Sequence, residues 1–135
     1  MDRKSKAELV TRFLQALRFG QLDTLAQCLA EDAIWQIPKS SPPPFGGRHQ
    51  GRDNILAILA ESLPNMFLPD IGGIEIADLI IENDKAVAEV TISGQTAANR
   101  HYENQYVFII KLIDNKILEF KEHLDTQHAN DIFWS

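Results

Sequence analysis

Apolar positions near the start of the chain recur at helical spacing: Leu9, Val10, Phe13, Leu14 and Leu17 fall on one face before Gly20. Ser5-x-x-Glu8 has the form of a capping box, which predicts a first helix opening at Ser5. A second, short helix is expected from Asp23, with Leu22, Leu25 and Leu29 facing one way, Cys28 beside them and Glu31-Asp32 at its end. The period then changes from helical to alternating. In Ala33-Ile34-Trp35-Gln36-Ile37 the residues Ala33, Trp35 and Ile37 share a face, the pattern of a strand, and Pro38 stops it. Residues 38 to 51 hold four of the six prolines and three of the seven glycines, so a long loop follows. Asp53 is expected to cap a third helix carrying Ile55, Leu56, Ile58, Leu59 and Leu63, closed by Pro64.

After about Ile71 the chain reads as extended: Ile74 to Ile81, Ala86 to Ile92, Tyr102 to Ile113 and Ile117 to Leu124, with hairpin tips at Asn83-Asp84 and Asp114-Asn115. Helices first and an antiparallel meander afterwards is the ordering of an α+β domain. With no internal repeat and no linker, residues 1–135 are read as one domain.

Side chains alternate across a strand, so in the last strand Leu118, Phe120, Glu122 and Leu124 share one side. Glu122 is the odd member. A carboxylate in register with apolar neighbours faces a cavity, is protonated or is partnered, or else sits at a strand end where it reaches solvent or an Arg. On the strand before it, Tyr102, Asn104, Tyr106, Phe108 and Ile110 alternate with Glu103, Gln105, Val107, Ile109 and Lys111, so both faces carry apolar residues. A sheet covered by helices on its concave side and by a second copy on its convex side accounts for this, and a homodimer is expected.

Composition narrows the function classes. Of 135 residues 44% are hydrophobic and 24% charged, enough for one core without a disulfide or metal staple. The net charge of −6 and the lack of a basic patch argue against nucleic acid as a partner. Cys28 is the single cysteine and suits a reducing compartment; no run approaches the roughly 20 apolar residues of a membrane span, so no membrane partner and a cytoplasmic setting are expected. His49, His101, His123 and His128 match no metal-binding spacing, and no metal is expected. Gly46-Gly47-x-x-x-Gly51 lacks the Lys-Ser/Thr of a phosphate loop, and Ser40 and Ser41 lack the glycine turn of a hydrolase nucleophile. His49, between Gly47 and Gly51, is either a plain surface histidine or an imidazole free to approach a ligand.

Several segments in order carry a family likeness: Phe13-Leu14-Gln15-Ala16-Leu17 with Gly20-x-Leu22-Asp23, then Ala30-Glu31-Asp32-Ala33-Ile34-Trp35-x-x-Pro38, then Gly47-Arg48-His49-Gln50-Gly51. Tyr106-Val107-Phe108, Asp114-Asn115-Lys116-Ile117 and Glu122-His123-x-Asp125-Thr126 complete it. The chain resembles the SnoaL-like polyketide cyclase and ketosteroid-isomerase-related group of the nuclear-transport-factor-like superfamily. The resemblance implies a cone of three helices packed on a strongly curved, mostly antiparallel sheet around an apolar pocket, usually in a dimer. It also implies what is missing. The proton-shuttling Asp of ketosteroid isomerases falls at Ile37 and their oxyanion-holding Tyr at Phe13, so classical ketosteroid isomerase chemistry is not expected. The acid/base carboxylate of the polyketide cyclase branch falls at Glu122, and a cyclase histidine at Phe108.

The expected site is a pocket lined by Phe13, Trp35, Ile37, Phe108 and Phe120, with Glu122, Tyr106, Asn104 and His49 as its polar groups. It would serve acid/base chemistry of isomerase, cyclase or dehydratase type on an apolar cyclic molecule, with no cofactor. Two alternatives stand beside it: a non-catalytic carrier of an apolar ligand, and a dimeric association module.

Overall fold

The computed structural model describes residues 1–134. Helix α1 (Arg3–Phe19) opens earlier than the capping box suggests, because Asp2 is the cap: its carboxylate accepts from the Ser5 N–H at 2.8 Å. Leu9, Val10, Phe13, Leu14 and Leu17 are buried as the spacing requires. Gly20, at φ 67, ends the helix in the left-handed conformation. Helix α2 (Leu22–Cys28) stops at Cys28, before Glu31-Asp32, which belong to strand β1 (Leu29–Ile37). Residues 38 to 51 are not all loop, since Gly47–Gln50 form β2 against β1. Helix α3 (Arg52–Ser62) is preceded by Gly51 with no side-chain cap, so Asp53 lies in its first turn and does not cap it. Leu63–Asn65 continue it as one 3-10 turn.

Strands β3 (Gly73–Glu82), β4 (Lys85–Gln95), β5 (His101–Ile113) and β6 (Lys116–Leu124) form the expected meander. Its hairpin tips place Asn83, Asp114 and Asn115 at positive φ, where short polar side chains are tolerated. The six-stranded sheet runs β2-β1-β6-β5-β4-β3, with β1 parallel to β6 and every other pairing antiparallel. Irregular registers between Ile76 and Asp78, between Lys111 and Leu112 and between Leu29 and Ile34 bend it. One of these corrects the alternation expected for β6. Ile117 pairs with Leu112 and Glu119 with Lys111, so Leu118 is the extra residue and Ile117 takes the inward place beside Phe120.

A fourth helix, α4 (Thr126–Trp134), corrects the expected three. Asp125 caps it, its carboxylate accepting from the His128 N–H at 3.0 Å, while Ala129, Ile132 and Phe133 face the core. The result is an α+β fold of four helices on an open, curved, mixed sheet. Across its outer face run Ile80, Val87 and Ile109, paired strand to strand, with Val107 beside them; Ile80 is 58% and Val107 37% exposed.

Candidate active site

The concave face of the sheet leaves a cavity because of which residues point into it. On β4 the inward side chains are Ala86, Ala88, Val90, Ile92 and Gly94, mostly small, whereas β5 presents Tyr102, Asn104, Tyr106, Phe108 and Ile110. Small residues beside large ones leave a void of ≈ 80 Å³ between sheet and helices. Of the expected site residues, Trp35, Ile37, Tyr106, Phe108 and Glu122 line it. Pro42, Phe45, Met66 and Phe133 line both this cavity and an outer groove of ≈ 350 Å³, and so form its mouth.

The other expected residues lie one layer back. Phe120 stacks on Trp35 with ring centroids 5.7 Å apart, and the Phe13 ring meets Phe120 edge-on at 4.9 Å; both are fully buried and brace the wall without lining the cavity. His49 faces Trp35 across the β1–β2 pair, its ring 4.8 Å from the indole and its Nε2 2.6 Å from the Phe45 carbonyl oxygen. It supports Trp35 and does not reach the cavity wall. Asn104 also stands behind the surface, its amide donating to the Tyr102 hydroxyl at 2.9 Å and to the Asp125 carbonyl at 3.0 Å.

Glu122 lines the cavity from β6. It stands opposite Phe108 in the β5–β6 ladder, and its Oε1 accepts from the Trp35 indole N–H at 3.2 Å. Burial among these groups pushes its pKa from 4.5 to about 7, while the indole hydrogen bond works in the opposite sense. As a residue it is half-buried, because its other side borders a shallow outer groove with Lys39 and Lys121.

Sequence reasoning missed three contributors to the site. Tyr102 lies on the same face of β5 as Tyr106, and the two hydroxyls are 2.7 Å apart. Both pKa values are raised, chiefly by burial. Helix α4 supplies Ala129 and Phe133 to the lining. The third is Arg18, four residues beyond the buried Leu14 and therefore on the apolar side of α1. It lines the cavity at 9% exposure, with Nε and one terminal nitrogen donating to Ser93 and Ile71 carbonyls at 2.7 to 3.2 Å and the Phe67 ring 4.1 Å from its guanidinium. Among the described residues, no three His, Cys, Asp or Glu side chains gather as a metal site would require.

This architecture has known relatives, and one comparison settles the family. The model of the SnoaL-like domain matches residues 10–120, most of the chain. The chain belongs to the SnoaL-like domain family. Solved structures share its fold. An NTF2-like protein from Burkholderia pseudomallei superposes with a TM-score of 0.84 at 19% identity, covering 100% of each chain. A protein of ketosteroid isomerase-like fold from Catenulispora acidiphila, in complex with trimethylamine, gives 0.76 at 13% identity over 93% of this chain and 91% of that one. TerC, co-crystallised with polyporic acid, gives 0.82 at 16% identity over 97% and 99%. No curated protein sequence matches the chain. The SnoaL-like family binds small ligands on this scaffold, and among the described residues no helix is long and apolar enough to cross a membrane.

Proposed function

We propose that this SnoaL-like protein is a cofactor-independent acid/base enzyme of isomerase, cyclase or dehydratase type, acting on an apolar cyclic molecule. The observation that carries the reading is the Glu122 carboxyl at the wall of an apolar cavity, held by the Trp35 indole and close to a pair of hydrogen-bonded tyrosines, where burial raises its pKa to about 7. Near neutrality such a group is present in both protonation states, so it takes a proton from carbon beside a carbonyl and returns it elsewhere. The developing enolate oxygen needs a donor. The 2.7 Å contact between the two hydroxyls admits either as donor; in the arrangement in which Tyr102 accepts from Asn104 and donates to Tyr106, the Tyr106 proton is free to point into the cavity and meet that oxygen. Asn104 and Tyr102 then position Tyr106, and His49 holds the wall through Trp35.

At ≈ 80 Å³ the cavity is about half the void of about 150 Å³ known to hold benzene, so it takes the reacting edge of a ring and the rest of the substrate lies in the outer groove. TerC, of the same fold, was crystallised with polyporic acid, which supports a cyclic ligand. Turnover of a substrate found by screening cyclic ketones and enols for thermal stabilisation tests the reading. Glu122→Gln lowers that turnover by about a hundredfold or more; unchanged turnover removes Glu122 from the chemistry.

A carrier is the second reading, favoured by Ile37 and Phe13, which stand where the resemblance to ketosteroid isomerases would require catalytic groups. Binding without turnover by any ligand, unaffected by Glu122→Gln, would select it. In either case the outer-face strip of Ile80, Val87, Val107 and Ile109 is assigned to a second copy of the chain, and the lone buried Cys28 fits a cytoplasmic setting.

A further inference from the structure

We infer that Arg18 is the anion-binding end of the cavity, so that the ligand is an apolar ring bearing a carboxylate or a comparably acidic enol oxygen. The inference rests on the pocket reading above and names the substrate class for it.

A guanidinium has five N–H donors and a charge that is costly to bury without a counter-ion. Arg18 is buried, and no carboxylate forms an ion pair with it among the described residues. Its protein partners are two backbone carbonyls, reached through Nε and one terminal nitrogen, and the Phe67 and Phe19 rings. These neutral groups leave the charge without a counter-ion, and the second terminal nitrogen makes no hydrogen bond to the described residues and stays accessible. A Leu or Met would fill the same stripe of α1 without that cost.

The sheet makes room for the cation. A Cβ at Gly94 would lie 2.9 Å from an Arg18 terminal nitrogen and 2.5 Å from Phe67, so the missing side chain leaves space for the stacked pair. Charge is also distributed along the cavity. Tyr106 responds to both ends, Glu122 pushing its pKa up and Arg18 pulling it down, whereas the Glu122 shift comes from burial and Trp35 alone. Arg18 is therefore not the carboxyl's counter-ion. An anionic oxygen held by Arg18 would fix the ring with its reacting carbon toward Glu122 and Tyr106 between them.

The test compares benzoate with benzamide, a neutral molecule of nearly the same shape, by calorimetric titration of the full chain at a pH of about 6, where benzoate is ionised and Glu122 mostly is not. Benzoate is expected to bind about tenfold more tightly or better. Arg18→Gln, which keeps an amide donor for the Ser93 carbonyl, abolishes the preference and retains benzamide binding. Arg12→Gln, on the exposed side of the same helix, keeps the preference. In unmodified protein, benzoate shifts the Arg18 side-chain ¹⁵N–¹H resonance, so the outcome does not depend on a variant folding. Equal affinities, a preference that survives Arg18→Gln, or an unmoved resonance overturns the assignment to Arg18 and leaves the pocket reading intact. Binding of neither probe overturns both.

Discussion

Glu122 couples the chemistry of the site to the stability of the fold. Below its ordinary pKa of 4.5 the carboxyl is protonated in both folded and unfolded chains and does not affect the balance. As pH rises from there to about 7, the unfolded chain gives up this proton first, so folding stability falls, and the loss levels off above that range. A shift from 4.5 to about 7 corresponds to a loss of about 3 kcal/mol. Glu122→Gln keeps an acceptor for the Trp35 indole and never ionises. Urea denaturation should find the variant about as stable as wild type at pH 4 and more stable at pH 8 by as much as about 3 kcal/mol. Tyr106→Phe removes the hydroxyl proposed to meet an enolate and keeps the ring; it is expected to lower turnover by about a hundredfold and, because the Tyr102 hydroxyl loses its buried partner, to cost about 1 kcal/mol of stability. The residue-level signal for Glu122 was legible because a period of two placed it beside Phe120 and Leu124. Arg18 carried the same signal at helical spacing from Leu14, yet long basic side chains usually reach water from such positions, so a sequence alone does not separate the two cases.

Among the elements, α4 has the largest effect on the site for its length. Thr126–Trp134 lays Ala129 and Phe133 against the cavity, and Asp125 joins helix to sheet: its carboxylate caps α4 and its carbonyl accepts from Asn104. Asp125→Ala should cost about 1 kcal/mol in chemical denaturation and increase amide exchange across residues 126–134. The helix was hard to read because it is only nine residues long and follows directly on a strand, so its apolar positions are few. By contrast α1 and the β3–β6 meander were legible from period alone. The bulge at Leu118 was not, since one extra residue reverses inside and outside without any local mark. A turn shows the same dependence on backbone fit. Gly72 sits at φ 78 and a Cβ there would meet the Ser93 carbonyl oxygen at 2.4 Å. Gly72→Ala should destabilise the fold by about 2 kcal/mol or more in the same assay, because backbone cannot give way as a side-chain tip does.

For the molecule as a whole, the open cone divides its apolar surface between two uses. The inner face forms the core and the cavity, and the outer face keeps an apolar strip across three strands. Light scattering after size-exclusion chromatography is expected to give a mass near twice the chain's 15.2 kDa, and Val107→Lys to halve it; one chain per particle in the unmodified protein would count against the assigned dimer. That the chain would fold as helices over a curved sheet could be read from the order of its periods. The cavity itself could not, because a void is set by volumes that meet only in three dimensions, here Ala88 and Gly94 opposite Phe108 and Tyr102. That void sets the ionisation of one carboxyl group, Glu122. A ¹³C NMR titration of the Glu122 side chain, in protein labelled at glutamate carboxyls and assigned with Glu122→Gln, measures this directly. A midpoint of about 7 is expected; titration with the solvent-exposed glutamates near pH ~4.3 would mean that the carboxyl is solvated and the acid/base proposal fails.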